Sequence, residues 1–382
     1  MFESDTTEFL NQLSKSRPPI STAKSLPLAS YSDAKILEIE KQAIFRHSWL
    51  GIGRFDQWHQ PGDYSTLDIT GIPVIVVRDN ESKLRAYSNS CRHRGAKLVE
   101  GQGSCQVIRC PFHRWTYALD GRLLTAPNIE NSNTFDYSQY GLFELPISER
   151  DGFAFLSFNQ NVESIDDWLA DFSKLHQPWS LNDLVTYKRY EFNVNCNWKA
   201  FLDVFNEYYH LPYVHPDSIN SVYLQPEPGD LVTGNYASQF GGTEGTGGLL
   251  EATQQHSLPG IKSLDEKNAS GTRYSWVFPN MTFAAGPESV WIYEAYPLTP
   301  QRSRIVLSLC FPESTTQLEN FEHLAGFYFD RLIAAIDEDI PALENQQKGL
   351  NSPLAKQGRF CESLEPNVAN FAFWYANQVL AK

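Results

Sequence analysis

Two short motifs constrain this chain more than anything else in it. They are Cys91-Arg-His93 and Cys110-Pro-Phe-His113, with sixteen residues between them. Each carries one thiol and one imidazole. Runs rich in β-forming residues surround them, at 64–70, 73–78, 84–88, 107–110, 115–119 and 122–125, with Asp120-Gly121 as a hairpin turn. Further runs at 142–147 and 152–158 close the set, and short strands at this spacing predict a small antiparallel β domain.

Two thiolates and two imidazoles suit a tetrahedral zinc. They also suit a two-iron cluster in which cysteines hold one iron and histidines the other. Zinc-finger spacing pairs Cys with Cys and His with His. Here each loop has one of each, as a cluster with distinct irons requires, because both loops must reach both metals. The bland reading, buried thiols beside unrelated surface histidines, needs four ligand-type residues to coincide at paired spacing. Cys105, Cys196, Cys310 and Cys361 read as small packed hydrophobes. Six cysteines in 382 residues are too few for a disulfide scaffold.

The second half is mixed. A strand is expected at 186–194 and a helix at 198–210. A Gly/Ser/Pro-rich stretch at 226–272 reads as loop, and its segment 241–248 as a mobile lid. Strands are expected at 273–278, 290–296 and 303–311. A helix over 315–340 carries an apolar set from Phe321 to Ile336, and another spans 367–380. At the front, a polar leader precedes a helix over 33–46. Strands followed by helices without βαβ alternation give an α+β class. The domains are read as 1–43 (leader and helix packing on the catalytic domain), 44–158 (cluster domain) and 159–382 (catalytic domain).

His210 and His215 stand five apart, with Pro212 between them. Pro212 disfavours helical geometry at Leu211, so the chain is expected to leave the helix there and turn both imidazoles to one point. Two histidines with one carboxylate from elsewhere form the facial triad of non-heme Fe(II), which leaves positions open for O₂. Glu207, three residues before His210, is expected on the same helix face. Taken alone, the pair could also be histidines favoured at a helix C-terminus.

The motifs Cys91-Arg-His-Arg-Gly and Cys110-Pro-Phe-His-Arg-Trp-Thr-Tyr resemble those of the Rieske non-heme iron oxygenases. The resemblance continues through Asn197-Trp-Lys199, Asp203, Glu207, Tyr209, His210 and His215, and covers about 44–375. It implies that Cys91, His93, Cys110 and His113 hold a Rieske [2Fe–2S] cluster. It also implies that His210 and His215 hold a mononuclear Fe(II). The family's third ligand is an Asp eight residues before Gln-x-Gly-Leu, which here is Asp339, with Asp337 as the fallback. The matched fold is an antiparallel β Rieske domain joined to a helix-over-antiparallel-sheet catalytic domain of the helix-grip type. Val204 departs from the family, which usually has Asn there. Asp203 and Glu207 are the local carboxylates for orienting the ligand histidines. Glu207 matches the acid that bridges to the next subunit's cluster. Many aromatic-ring dioxygenases have Asp there, whereas Glu is similar to the choline, carnitine and glycine-betaine branch.

The resemblance implies a terminal oxygenase fed from NAD(P)H by a flavin/iron–sulfur reductase, with or without a ferredoxin, and working as a homotrimer. The substrate stays open. The catalytic half is rich in aromatics (Tyr213, Tyr223, Tyr236, Trp276, Phe278, Phe283, Trp291, Tyr293, Tyr296). These could cage a quaternary ammonium, line a site for an aromatic compound, or be core. A net charge of −14 disfavours nucleic acid and weakly favours cations. No run of 18 apolar residues is present, and the acidic start lacks a secretion-signal layout, so a cytoplasmic protein without a membrane partner is expected. Two other classes compete. A pure electron-transfer Rieske protein needs no second-half triad, and a zinc-binding protein would be colourless.

Overall fold

The computed structural model describes residues 2–129 and 134–381. They form two compact units, Ile52–Val162 and the combination of Met1–Gly51 with Glu163–Lys382.

The unit Ile52–Val162 is built of short antiparallel strands. Its sheets draw on β1 (Leu50–Arg54), β2 (Asp63–Ile69), β3 (Ile72–Arg78), β4 (Leu84–Ser88), β5 (Gln102–Ser104), β6 (Ile108–Arg109), β7 (Thr116–Tyr117), β8 (Leu123–Thr125), β9 (Glu144–Leu145), β10 (Ile147–Arg150) and β11 (Phe153–Leu156). They assemble as β5-β2-β3-β4-β9, β6-β7-β8 and β1-β11-β10. Ile75, Val77, Tyr87, Ile108 and Tyr117 form one buried cluster that includes Cys91 and Cys110. Two thiols thus sit in the apolar interior, and burial raises the pKa of Cys91.

The larger unit holds one six-stranded antiparallel sheet. Its strands are β12 (Leu184–Val194), β13 (Tyr236–Gly242), β14 (Gly271–Val277), β15 (Met281–Ala285), β16 (Val290–Thr299) and β17 (Arg302–Pro312), in the order β12-β17-β16-β15-β14-β13. Ahead of it lie α1 (Phe2–Leu13), where only a polar leader was expected, and α2 (Ala34–Glu40), capped by Asp33 accepting from the Lys35 N–H at 2.8 Å. The helices α3 (Trp198–Phe205) and α4 (Leu211–Val214) follow β12, and α5 (Phe321–Leu350) and α6 (Pro366–Leu380) end the chain. Helix α3 packs on β15, β16 and β17, and α6 on β13 and β14, giving helices over a sheet.

The stretch 226–272 is not all loop. β13 pairs along its whole length with β14 and is buried, with Gly241 and Gly242 inside it. Gly247 and Gly248 are buried too. A Cβ on Gly248 would lie 2.8 Å from the Tyr328 ring, so this glycine serves close packing rather than motion. The Gln254 side chain accepts from Thr246 N–H at 2.8 Å and donates to Thr246 C=O at 2.9 Å, clamping the turn. The expected mobile lid is therefore a pinned, packed segment.

The Asn197-Trp-Lys199 motif fastens α3 to the front and back of the chain. Asn197 caps the helix by accepting from Lys199 N–H at 3.0 Å, and its own N–H donates to Gln347 at 2.8 Å. Lys199 is fully buried and pairs with Glu40 at 2.7 Å. Glu40 also accepts from Trp198 Nε1 and Tyr375 Oη. Such a pair is weakly stabilising as a whole, but removing one partner strands a buried charge.

Asp203 lies one helical turn further on and accepts from Tyr31 Oη at 2.9 Å. Burial pushes its pKa up to about 7, against the Tyr31 hydrogen bond and the Lys199 charge. Between its unfolded value and pH 7 the folded state holds the proton more tightly than the unfolded state. Its contribution to stability is therefore lost as pH rises through that window. Asp203→Asn is expected to stabilise the protein, by roughly 2–3 kcal/mol more at pH 8 than at pH 5. Denaturant unfolding at both pH values checks this, and a pH-independent difference would contradict it.

Candidate active site

The two Cys/His loops are built alike. Cys91 N–H donates to Ala96 C=O at 2.8 Å, and Gly95 N–H returns to Cys91 C=O at 2.9 Å. In the second loop Cys110 N–H donates to Trp115 C=O at 2.8 Å, and Arg114 N–H returns to Cys110 C=O at 3.2 Å. Each loop turns through one left-handed residue at the same step, Gly95 (φ 74°) and Arg114 (φ 61°). The result is two matched fingers with cysteines inside and histidines at the rim. His93 Nδ1 and His113 Nδ1 approach to 3.2 Å, and the His93 ring stacks on Trp115 at 4.9 Å. Tyr117 Oη lies 3.3 Å from Cys91 Sγ and accepts from Arg92 N–H at 3.1 Å. That tyrosine closes the Cys110-Pro-Phe-His-Arg-Trp-Thr-Tyr motif, but sequence reasoning gave it no role. Two buried sulfurs that interact with each other, and two rim imidazoles in contact, fit a cluster with chemically distinct irons.

The second constellation lies in the larger unit. Helix α3 stops at Phe205, five residues earlier than expected, and Glu207 to His210 form an irregular turn. Glu207 organises that turn. Its carboxylate accepts from the Tyr209 and His210 N–H groups and from His210 Nδ1, the last at 2.6 Å. Pro212 then falls in the first turn of α4, where a missing N–H costs nothing. The two histidines flank α4, with the chain helical at Leu211 rather than leaving the helix there, and their rings stand 5.1 Å apart across that single turn.

His210, His215 and Asp339 offer ligand atoms within 4.8 Å of one another. Asp339 Oδ1 lies 3.0 Å from His215 Nε2 and 3.7 Å from His210 Nε2. Both histidines therefore turn Nε2 toward the carboxylate and Nδ1 away from it. His215 Nδ1 meets Glu338 at 2.6 Å, and Glu338 also accepts from Ser218 Oγ at 2.7 Å. Glu338 and Asp339, adjacent on α5, thus hold opposite edges of one imidazole. The acid pair was the visible signal for Glu338, which sequence reasoning passed over. Asp337 is exposed. Asp203 bonds to Tyr31 rather than to either histidine, so the orienting carboxylates are Glu207 and Glu338. Burial opposes protonation of His210, but the Glu207 hydrogen bond and charge, with Asp339, hold its pKa above the usual value. A divalent ion would meet one carboxylate and two Nε2 lone pairs, both imidazoles being fixed from behind.

A cavity opens on this cluster. Phe205, Tyr208, Tyr274, Tyr293 and Arg331 line it beyond the cluster residues. Of the nine aromatics singled out from sequence, Tyr293 lines it, and Tyr223 and Trp291 stand behind it against Arg331. Trp276 and Phe278 are core, packed on Phe371, whereas Tyr213 is exposed. Among the described residues no helix is long and apolar enough to cross a membrane.

A β domain with paired Cys/His fingers, and a helix-over-sheet domain with two histidines and a carboxylate, define the oxygenase component of a Rieske system. Residues 181–381 match the ring hydroxylating alpha subunit (catalytic domain) family, and residues 48–136 match the Rieske [2Fe-2S] domain. The chain belongs to the ring-hydroxylating alpha-subunit family. It is an oxidoreductase that carries a Rieske cluster and a mononuclear iron, and uses O₂ with electrons delivered through a reductase.

The chain is 27% identical to the glycine betaine monooxygenase oxygenase subunit of Chromohalobacter salexigens, over 94% of this chain and 86% of that one. It is 35% identical to the carnitine monooxygenase oxygenase subunit of Acinetobacter pittii, over 52% of this chain and 55% of the other. A quaternary ammonium Rieske monooxygenase solved with L-carnitine superposes with a TM-score of 0.76 at 26% identity, covering 93% of this chain and 96% of that one. Naphthalene 1,2-dioxygenase from Rhodococcus sp. shares the fold, with a TM-score of 0.82 at 18% identity over 98% and 99% of the two chains. The fold therefore does not choose the substrate.

Proposed function

We propose that this oxygenase hydroxylates a quaternary ammonium compound at a C–H bond beside the nitrogen. One atom of O₂ enters that bond and the other leaves as water, with two electrons from the reductase and two protons. Hydroxylation of an N-methyl group ends in N-demethylation, because the product loses formaldehyde. The observation that carries the reading is the aromatic wall facing the two-histidine cluster. Phe205 contacts Tyr293 at 4.7 Å and Tyr274 at 5.3 Å, and Tyr208 contacts Tyr274 at 5.6 Å. Aromatic faces attract a desolvated ammonium. The quaternary ammonium relatives and Glu207 support the same reading.

In this proposal Cys91, His93, Cys110 and His113 hold the cluster, and His210, His215 and Asp339 hold the iron. The iron would supply activation of O₂. Glu207 and Glu338 keep the Nδ1 protons of His210 and His215 in place, so that both rings present Nε2. The residues 44–158 form the cluster domain and 159–382 the catalytic domain. The working unit is a homotrimer in the cytoplasm, fed by a flavin/iron–sulfur reductase. There Glu207 stands between His210 and the neighbouring subunit's cluster, with His113 as the electron's exit. Exposed aromatics suit such a junction: Phe112 (59% exposed) beside His113, and Tyr209 (54%) and Tyr213 (77%) beside His210.

The test is a substrate panel with NADH, a surrogate reductase and an O₂ electrode. Betaines and choline are expected to drive O₂ uptake matched one-to-one by hydroxylated or demethylated product. Coupled dihydroxylation of an arene, with no turnover of any ammonium compound, would overturn the proposal.

A further inference from the structure

We propose that Arg331 anchors a carboxylate on the substrate, so that the site selects zwitterions carrying both a quaternary ammonium and an acid over simple cations. This deepens the reading above and rests on it. Arg331 lines the same cavity as His210, His215 and Asp339, and is 4% exposed. Its guanidinium donates to Tyr223 Oη at 3.1 Å and lies over the Trp291 ring at 5.2 Å. Its other electrostatic neighbours are the phenols of Tyr274 and Tyr293. Among the described residues no carboxylate pairs with it, and its Nε–H has no acceptor. A buried guanidinium is normally matched by an anion, because an isolated buried charge is costly. Lys199, the other fully buried cation described above, has its acid in Glu40.

Neighbouring groups show the same want of an acceptor. Tyr208 Oη, on the cavity wall and buried, has no hydrogen-bond partner among the described residues, and neither has Trp291 Nε1. Buried donors without acceptors are rare and call for one. A planar guanidinium with a phenol beside it matches a carboxylate, which accepts two or more hydrogen bonds at once. The rest of the cavity suits the other end of a zwitterion. Tyr293 lines the same cavity, within electrostatic reach of both Arg331 and Asp339. A cation without an acid would bring a second positive charge into the cavity and leave Arg331 without an anion.

The test uses the iron-loaded holoenzyme and binding rather than turnover. Calorimetric titrations with glycine betaine, γ-butyrobetaine, choline and 3,3-dimethylbutanoate separate the two charges, the last being an acid with no cation. At least one betaine is expected to bind about 100-fold more tightly than choline. Arg331→Met is expected to lose that advantage, weakening the betaines and, with the repelling charge gone, tightening choline. The same variant, without ligand, should melt no lower than wild type, because it removes an unpaired buried charge; a purely structural arginine would lower the melting temperature. Arg331→Lys, which keeps the charge, should restore part of the preference for acids and serves if the Met variant fails to fold. Choline binding as tightly as the betaines, or Arg331→Met retaining full betaine affinity, would overturn the anchor. Tight binding of 3,3-dimethylbutanoate without binding of any betaine would keep the anchor and sink the quaternary ammonium reading.

Discussion

Asp339→Ala should take the purified protein from about three iron atoms per chain to about two, leave the visible Rieske spectrum intact, and abolish product formation. Among the described residues the carboxylate is the only acid grouped with both Nε2 atoms, at 3.0 and 3.7 Å. Without it the two imidazoles form a neutral pair with no charge to hold a divalent ion. Glu338 cannot step in, because it is committed to His215 Nδ1 and Ser218 on the far edge of the ring. The Cys/His fingers belong to the other unit and share no residue with this site. Iron analysis with absorption spectra decides the matter. Retention of the third iron in Asp339→Ala, or its loss in Asp337→Ala instead, would refute the assignment.

Glu207→Gln should cut product-coupled turnover by at least about 100-fold, even at saturating Fe(II). One Glu207 oxygen accepts from two backbone N–H groups and the other accepts from His210 Nδ1. Glutamine cannot do both. If its oxygen serves His210, its NH₂ faces two N–H donors; if it turns over, His210 loses its acceptor. Weaker iron binding is expected as well, which is why the assay is run with added Fe(II). The Rieske spectrum and the oligomer should be unchanged, since the substitution touches only the turn before α4. Full activity in this variant, or in a 43 kDa monomer, would show that electrons take a route that does not use Glu207.

The cluster site was legible because its geometry is local. A cysteine, a left-handed residue four positions on and a return hydrogen bond set each finger; the sequence shows the Cys/His spacing, whereas the left-handed Arg114 appears only in the structure. The catalytic histidines were legible as residues but not as geometry. A helix was expected through His210, yet a carboxylate three residues upstream could bind two backbone N–H groups and end the helix early. Strands β13 and β15 went unseen because they are buried on both faces and show no alternation. Their glycines, serines and alanines owe their conformation to neighbouring strands. Arg331 was hidden for a different reason. In a helix pattern an arginine reads as a solvent-facing residue, and only the three-dimensional absence of an acid distinguishes it.

Helix α5 runs unbroken from Phe321 to Leu350, through Pro341, and carries both Arg331 and Asp339. The two Cα atoms are separated by eight residues of one rod, about 12 Å of rise. No hinge, loop or second element sets the distance between the proposed carboxylate anchor and the iron ligand. The helix then acts as a ruler. Substrate length is gauged against a fixed backbone spacing, and the carbon presented to O₂ is chosen by how far it lies from its own acid group. Evolution could change that choice without touching either metal site. Moving the arginine four residues along the same face, to the position of Ala335, would shorten the gauge by about 6 Å.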